Sequence, residues 1–342
     1  MQRTSGQLSS PARLATDTAN IVFVGILFLL TLLFPHSVLQ PNKTAVWCLT
    51  IAAVYIGVTR SLRYLRHEGV ATLVYVAAAL LMTSYLFEIV GNYQHIFVNA
   101  WQDEELIVFE RAVFGSQAVL SLQRLITPAL TEWMMFAYVM YVPLLVVIAL
   151  ICYKSGGVRA TEDYLLNLTL ANIVCYVGFI LFPVAGPVEH IRFSVPLDGG
   201  FFTWCGEWMR AHVHYPGGSL PSPHCAAATV MLAMLYRYNC KAFYYSIPLF
   251  LTLYVSTVYG RFHYATDAIA GILCALFILR FSELLVVGTK AIANRRTRAL
   301  KPIPFQKAFA HQYPTTEHTM QSRRLSDSPT RDSEPSERLW KR

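Results

Sequence analysis

The sequence has few charged residues and lacks the motifs that mark common soluble enzymes. Only 14% of its 342 residues are charged and 55% are hydrophobic, whereas roughly 25% of residues are charged in an average soluble protein. Its seven cysteines are scattered without a C-x-x-C spacing, so neither a zinc site nor a redox motif is indicated. This composition excludes a disordered chain, a disulfide-rich mini-protein and an ordinary soluble enzyme. It predicts that most of the chain lies in a bilayer.

The positive charge is concentrated at one end of the chain. The formal net charge is +8, and residues 290–342 alone hold twelve Lys and Arg residues against five acidic ones. Because the rest of the chain is nearly neutral, the charge balance does not indicate a nucleic-acid partner. We expect residues 290–342 to form a basic, disordered tail, since they lack apolar periodicity.

Long apolar runs define the predicted fold. A helix needs roughly 18 to 22 apolar residues to cross a bilayer core. Eight apolar runs stand out as candidate spans, of which the first is a little short unless flanking residues contribute: Ile21–Phe34, Ala45–Val58, Ala71–Val90, Glu132–Cys152, Tyr164–Val184, Cys225–Asn239, Phe243–Tyr259 and Ala268–Val287. The sequence therefore predicts an all-α polytopic membrane protein of about eight transmembrane helices. Between the third and fourth spans, the amphipathic stretch Leu106–Ile126 predicts an interfacial helix pair broken at Gly115.

The distribution of Lys and Arg predicts the orientation of these spans. Basic residues follow the second, fourth, sixth and eighth spans, and cytoplasmic connections carry such an excess. Both termini are then cytoplasmic, and residues 1–20 form a cytoplasmic N-terminal segment. The long connections Gly91–Thr131 and Ala185–His224 lie on the outer or luminal side.

Two short segments on that outer side contain the residues best suited to chemistry. Pro221-Ser222-Pro223-His224 begins the sixth span, and Arg261-Phe262-His263-Tyr264-Ala265-Thr266-Asp267 begins the eighth. A spacing of four residues places His263 and Asp267 on one face of a helix, where the carboxylate can orient the ring. His263 is then a candidate nucleophile, and His224 a candidate proton donor to a leaving group.

Other groups in these segments favour an anionic substrate. We expect Ser222 to cap the sixth helix, with Pro223 in its first turn, so that positive helix ends face the site. Arg261 adds a planar cation that matches phosphate oxygens, and Ser222 and Arg261 are the predicted phosphate-binding residues. The alternative for His263 and Asp267 is a metal site. It requires further ligands, and the sequence has neither an H-E-x-x-H motif nor a nearby acidic cluster.

Together these motifs resemble those of the type-2 phosphatidic acid phosphatase superfamily, whose signatures include P-S-x-H and a later H-x-x-x-D. The wider chain, including Phe114-Gly115 and Phe182-Pro183-Val184-Ala185-Gly186-Pro187, resembles the branch that contains inositolphosphoryl-ceramide synthases. The resemblance implies attack by His263 on phosphorus, orientation by Asp267 and proton transfer by His224, with no metal and no cofactor. It also implies a six-helix catalytic core, mapped to residues 69–289, preceded by two additional helices in residues 21–68.

The sequence departs from the family pattern in its arginines. The K-x-x-x-x-x-x-R-P signature is absent, and Ser256 and Thr257 occupy positions where the family has Ser-Arg. Arg261 is the expected replacement. The other outer-side arginines that could bind phosphate are Arg111, Arg124, Arg192 and Arg210.

The resemblance implies a membrane lipid phosphate as substrate and two possible reactions. Water as acceptor gives a phosphatase, which we favour, whereas a lipid hydroxyl gives a phosphotransferase, such as one that transfers inositolphosphoryl or a similar headgroup. A non-catalytic transporter or scaffold is the rival interpretation. Against it, the spans show no charged or Gly/Pro-broken segment at mid-membrane depth.

Overall fold

A computed structural model describes residues 10–213 and 215–299, with side chains through residue 283. Apart from an isolated bridge between Val184 and Gly218, the regular secondary structure of this part of the chain is helical. The α-helices are α1 (Pro11–Leu33), α2 (Pro41–Ser61), α3 (Glu68–Val90), α4 (Asp103–Phe114), α5 (Ala118–Leu122), α6 (Pro128–Val139), α7 (Tyr141–Leu181), α8 (Pro187–His190), α9 (Phe201–His212), α10 (Pro223–Tyr238), α11 (Cys240–Tyr259) and α12 (Ala265–Ala299).

Six of the described helices are long and apolar enough to cross a membrane, as in a multi-pass membrane protein. They are α1, α2, α3, α7, α11 and α12. Their outward faces carry large apolar side chains, such as Val46, Leu273 and Phe277, each at least 60% exposed. Large exposed apolar surfaces of this kind are suited to contact with lipid rather than water. The prediction that the protein is all-helical and polytopic is confirmed, while the orientation of its termini stays a prediction.

The predicted count of eight spans differs from these six helices in two places. The fourth and fifth predicted spans both fall largely within α7, whose backbone is not helical at Gly157 (φ 66°, ψ −157°). The Tyr164 hydroxyl donates to the carbonyl of Leu145, 19 residues away, at 3.1 Å, although these residues would lie about 28 Å apart along a straight helix. The chain therefore folds back at Gly157, and α7 consists of two antiparallel halves.

The sixth predicted span corresponds to α10, which has only 16 residues. A helix of this length is shorter than the roughly 20 residues that usually cross a bilayer core. The count of eight therefore stays a prediction.

The first helix begins ten residues earlier than the predicted span because its polar residues have partners inside the bundle. Asp17 accepts hydrogen bonds from the hydroxyls of Tyr55 at 2.7 Å and Tyr75 at 3.1 Å. The Arg13 guanidinium lies 4.5 Å from the centre of the Tyr75 ring. Residues Pro11–Asn20 are thus helical. At the C-terminal end, residues 290–299 of the predicted basic tail belong to α12, and residues 300–342 lie outside the described residues.

The core is centred on α10 and the second half of α7. Three consecutive alanines of α10, Ala226, Ala227 and Ala228, are completely buried, as are Tyr164 and Phe179 of α7. Small side chains on α10 let neighbouring helices approach closely, and the large rings of α7 fill the space beside them. This close packing fixes the position of α10, and the candidate active site lies at the N-terminus of that helix.

The amphipathic region between α3 and α6 forms two helices, as the sequence predicts. α4 ends at Gly115, which has a left-handed backbone (φ 72°), and α5 begins at Ala118. A left-handed residue after a helix is usually glycine, because a side chain there is sterically unfavourable. Asp103, Leu106 and Glu110 are the buried residues of α4. Two of them support the active site.

Candidate active site

The structure brings the two candidate histidines, His224 and His263, into direct contact. His224 lies in the first turn of α10, and His263 lies in the turn between α11 and α12. Nε2 of His263 is 3.3 Å from Nδ1 of His224. Two imidazoles at this distance can hold a nucleophile and a proton donor in one site.

The start of α10 is fixed by the predicted cap. Ser222 accepts a hydrogen bond at its Oγ from the N–H of Cys225 at 3.3 Å, and Pro223 occupies the first turn. The N–H of Ser222 donates to the carbonyl of Asp267 at 2.9 Å, which ties the start of α10 to α12. Ser222 is completely buried, so the structure gives its hydroxyl a capping role. The predicted role of Ser222 in phosphate binding stays untested.

A compact turn positions His263. The N–H groups of Phe262 and His263 both donate to the carbonyl of Thr257 at 3.0 Å, and Arg261 takes a left-handed backbone (φ 64°). His263 therefore precedes α12, whose first residue is Ala265. The prediction that His263 and Asp267 share one helix face is wrong in this respect. Only Asp267 is helical, and the His263 ring reaches it across the N-terminus of α12.

The predicted hydrogen bond between His263 and Asp267 is also absent. Nδ1 of His263 lies 3.0 Å from the carbonyl oxygen of Ser219 and 3.7 Å from Oδ2 of Asp267. Because a carbonyl oxygen can only accept, Nδ1 carries the ring proton and Nε2 has the lone pair. Nδ1 of His224 then carries the proton that Nε2 of His263 accepts. The arrangement leaves a nucleophilic Nε2 on His263, which is the tautomer that the prediction requires.

Asp267 acts on His263 mainly through its neighbours. Its Oδ2 accepts from the hydroxyl of Ser219 at 2.6 Å and from the N–H of Tyr264 at 2.8 Å. The second contact resembles the return bond of a capping box, in which a carboxylate in the first turn binds the N–H that precedes the helix. Asp267 is completely buried, and its carboxylate, 3.7 Å from His263, can stabilise the positive charge that develops on the ring during the reaction. Sequence reasoning missed Ser219, because nothing in the motif spacing marks it.

Two buried acids of α4 hold the turn and the start of α12. Asp103 accepts from the Tyr264 hydroxyl at 3.0 Å and from the N–H groups of Ala185 and Gly186 at 2.8 and 2.9 Å. Glu110 accepts at Oε1 from the N–H of Thr266 at 2.8 Å. Burial raises the pKa of Glu110, although hydrogen bonds from Thr266 oppose the shift.

Asp103 and Glu110 were not predicted as supporting residues, because the sequence pattern of α4 is typical of an interfacial helix. Their spacing of seven residues, on the same face as buried Leu106, is the signal that could have identified them.

The two arginines closest to the turn, Arg261 and Arg210, have different contacts. Arg261, the predicted phosphate ligand, donates to the carbonyl of Val195, and its guanidinium carbon lies 4.1 Å from the centre of the Phe193 ring. Burial, followed by the charge of Arg210, lowers the pKa of Arg261. These contacts direct Arg261 toward the loop before α9. Its role in phosphate binding stays a prediction.

Arg210 of α9 lines the same cavity as His224. Its Nη2 donates to the carbonyl of Gly260 at 2.5 Å, and its guanidinium carbon lies 4.1 Å above the ring of Phe262. Arg210 and His224 line the same cavity, of about 210 Å³. Arg210 was one of four unranked alternatives in the sequence, and this shared cavity is the observation that separates it from the others.

Glu132 of α6 anchors the helix that carries Arg210. Its carboxylate accepts from the N–H groups of Gly200 at 2.7 Å, Phe202 at 2.7 Å and Thr203 at 3.0 Å. Although burial opposes ionisation, these N–H groups together lower the pKa of Glu132. An ionised carboxylate at the N-terminus of α9 stabilises that helix through its dipole. Glu132 thereby fixes the position from which Arg210 extends.

The described residues contain no group of three or more His, Cys, Asp and Glu side chains placed to hold a metal ion. The alternative interpretation of His263 and Asp267 as metal ligands needs such additional ligands. Within the described part of the chain, the pair instead belongs to a hydrogen-bonded network with Ser219 and Tyr264.

Comparison with known proteins gives one match. The family model described as the PAP2 superfamily matches residues 104–281, a range that includes His224, His263 and Asp267. No curated protein and no solved structure gives a significant match. The family match covers just over half of the chain, and the protein therefore belongs to the PAP2 superfamily, whose members are phosphatases.

Proposed function

We propose that this protein is an integral-membrane lipid phosphate phosphatase that acts through a phosphohistidine at His263. The observation that carries the proposal is the contact between Nε2 of His263 and Nδ1 of His224 at 3.3 Å, with Nδ1 of His263 bound to the Ser219 carbonyl. The lone pair of His263 is thereby directed to the place where His224 can deliver a proton. Neither step requires a metal or a cofactor.

The reaction proceeds in two displacements at phosphorus. The Nε2 lone pair of His263 forms a bond to phosphorus as the ester P–O bond breaks, and protonated His224 gives its proton to the leaving oxygen. His224, now neutral, removes a proton from water, whose oxygen attacks phosphorus as the N–P bond breaks. Inorganic phosphate leaves, and both histidines return to their starting states.

Several groups favour the charge that develops during these steps. The Asp267 carboxylate stabilises the positive His263 ring, and the N-terminus of α10 favours the phosphate anion. The phosphoryl group has to come between the two rings, so their contact in the free protein must open. His224 borders the cavity, which gives its side chain a place into which it can turn.

Arg210 is the phosphate ligand that we favour over Arg261. Both guanidinium groups contact main-chain carbonyls, but Arg210 lines the cavity with His224, and Arg261 binds the carbonyl of Val195. A planar guanidinium that reaches the same space as the proton donor can bind two phosphate oxygens at once.

Transfer to a lipid hydroxyl is the second candidate reaction. The cavity beside His224 supports it, because its volume of about 210 Å³ and its predominantly apolar lining suit part of an amphiphilic alcohol. An apolar cavity of about 150 Å³ is enough to hold a molecule of the size of benzene. The inositolphosphoryl-transferase activity implied by the resemblance belongs to this candidate. In either case we propose that the active site lies on the outer or luminal side.

Phosphate release by the purified protein tests the proposal. Phosphatidic acid and an isoprenoid diphosphate are supplied in the presence of EDTA to the wild-type protein, to His263→Ala and to His36→Ala, which removes an exposed histidine elsewhere. We expect release by the wild type and by His36→Ala, and none by His263→Ala. Loss of release in EDTA contradicts the metal-free mechanism. Absence of release from the wild type under all conditions favours transfer, or a transporter or scaffold.

A further inference from the structure

One wall of the cavity beside His224 is formed by the outer half of α3. Leu80, Thr83, Ser84, Phe87 and Glu88 all line it. The other walls are formed by Arg210 and His224 and by a set of aromatic rings, which are those of Tyr138, Tyr141, Tyr176 and Phe262. The cavity thus has cationic groups near the reaction centre. On α3 it has a polar strip, which is formed by Thr83, Ser84 and Glu88, and the rest of its lining is mainly apolar.

The hydroxyls of this polar strip have already donated their protons. The Thr83 hydroxyl donates to the carbonyl of Ala79 at 3.1 Å, and the Ser84 hydroxyl donates to the carbonyl of Leu80 at 3.1 Å. A serine or threonine hydroxyl has one proton and two lone pairs. Both side chains can therefore only accept hydrogen bonds from a molecule in the cavity.

The position of Thr83 is further fixed by α7. The Tyr176 hydroxyl donates to the main-chain carbonyl of Thr83 at 2.9 Å. This contact uses the main-chain carbonyl of Thr83 and not its side chain, which lines the cavity. The polar strip is consequently part of the packed bundle.

Glu88 adds a negative charge to the same wall. It is exposed, and within the described part of the chain its carboxylate has neither a hydrogen bond nor an ion pair. Glu88 lies in the last turn of α3, where the negative end of the helix dipole disfavours an acidic side chain. A carboxylate at such a position gains free energy when a cation or a hydrogen-bond donor binds to it.

We propose that Thr83, Ser84 and Glu88 form an acceptor-only subsite that binds a hydrogen-bond donor, a hydroxyl or an ammonium group, on the alcohol portion of a lipid substrate. The phosphate lies at His263 and Arg210, the donor group faces α3, and the hydrocarbon chain lies against the aromatic rings. This inference rests on the proposed function and specifies the class of substrate.

The aromatic lining supports the ammonium form of this ligand in particular. Phe87 and Tyr176, whose ring centres lie 6.2 Å apart, both line the cavity together with Glu88. A cation near the faces of such rings is stabilised by their quadrupoles. A ligand with only an alkyl chain offers no cation to the aromatic rings and no hydrogen-bond donor to the Glu88 carboxylate.

Three substrates that differ in one group test the proposal. The substrates are octadecyl phosphate, 2-hydroxyoctadecyl phosphate and 2-aminooctadecyl phosphate. Each is assayed with the wild-type protein, with Glu88→Gln and with the control Glu68→Gln, which removes an exposed carboxylate from the opposite end of α3. The wild type and Glu68→Gln are expected to prefer the two donor-bearing substrates.

The variant Glu88→Gln separates recognition from catalysis. Its kcat/KM for the amino substrate should fall about tenfold, because the amide oxygen can still accept a hydrogen bond but carries no negative charge to pair with the ammonium group, with little change for octadecyl phosphate. Equal losses for all three substrates, or no preference in the wild type, overturn the proposal.

A binding measurement distinguishes failure of this subsite from failure of the proposed function. The melting temperature of the His263→Ala protein, with and without Glu88→Gln, is measured in the presence of 2-aminooctadecyl phosphate or octadecyl phosphate. Stronger stabilisation by the amino compound, lost with Glu88→Gln, supports the subsite even if no substrate is turned over. Equal stabilisation by both compounds contradicts it whether or not the protein is a phosphatase.

Discussion

The carbonyl oxygen of Ser219 lies 3.0 Å from Nδ1 of His263, closer than the nearest oxygen of Asp267, which is 3.7 Å away. The main chain therefore determines the tautomer of His263. Asp267 acts indirectly, because it holds the Ser219 hydroxyl at 2.6 Å and the N–H of Tyr264 at 2.8 Å.

Asp267→Asn should lower kcat without abolishing turnover. An amide oxygen in the place of Oδ2 can still accept both hydrogen bonds, but the negative charge that stabilises the positive His263 ring is lost. A hydrogen bond to a charged group contributes about 1.5 to 3 kcal/mol, so kcat should fall roughly 10- to 100-fold with little change in KM. Steady-state kinetics measure both quantities. A loss as complete as that of His263→Ala would show that Asp267 contacts the ring directly during the reaction.

Arg210→Gln should impair phosphate binding more than Arg261→Gln does. Arg210 shares the cavity with His224, whereas Arg261 binds the carbonyl of Val195. We expect kcat/KM to fall about 10- to 100-fold in Arg210→Gln, from loss of a charge-assisted contact, and several-fold less in Arg261→Gln. Inhibition by inorganic phosphate provides a second measurement. The reverse order would restore Arg261 as the ligand.

Glu110→Gln should change how stability depends on pH. Burial raises the pKa of Glu110 above its ordinary value of 4.5, so the folded protein holds this proton more tightly than the unfolded chain does. Stability from this group is therefore present at acidic pH and is lost as pH rises from 4.5 toward the raised value. The amide keeps an acceptor for Thr266 without the charge.

The melting temperature of Glu110→Gln relative to wild type should accordingly increase across that window and then level off. Thermal unfolding at a series of pH values measures the difference. A difference that stays constant with pH would show that the ionisation of Glu110 is not linked to folding.

Gly271→Ala should weaken the connection between α10 and α12. A Cβ atom at Gly271 would lie 2.2 Å from the carbonyl oxygen of Ser222, so one of the two helices must move. Overpacking of this kind costs about 1 to 3 kcal/mol, and the displaced turn carries His224. We expect a lower melting temperature and reduced turnover. The control is Gly25→Ala in α1, where a Cβ atom meets nothing within 4 Å; reduced activity in both variants to the same extent would contradict the account.

The sequence predicted the parts of the site that depend on local rules. The Ser222 cap and the start of α10 at Pro223 follow from side-chain hydrogen bonding and from the fixed φ of proline. The resemblance of both motifs to one family assigned the roles of His224 and His263, while their contact is an observation of the structure. The helical pair around Gly115 followed from amphipathic periodicity.

Contacts between distant segments could not be predicted in the same way. Ser219 reaches His263 through a main-chain carbonyl, and every residue has such a group, so no residue type identifies it. Asp103 and Glu110 looked like the charged face of an interfacial helix, because their partners lie more than 80 residues away. The turn that places His263 before α12 depends on the carbonyl of Thr257 and on the left-handed backbone of Arg261.

Detection of the phosphorylated enzyme tests whether His263 forms a covalent intermediate. The wild-type protein is mixed with a phosphate-labelled lipid, quenched in alkali to preserve phosphohistidine, digested and analysed by mass spectrometry. We expect phosphate on Nε2 of His263 in the wild type, slower phosphorylation in a His224→Ala variant, which lacks the proton donor to the leaving oxygen, and no phosphate in His263→Ala. Turnover by the wild type with no phosphate on His263, or phosphate on a different residue, would contradict the phosphohistidine mechanism.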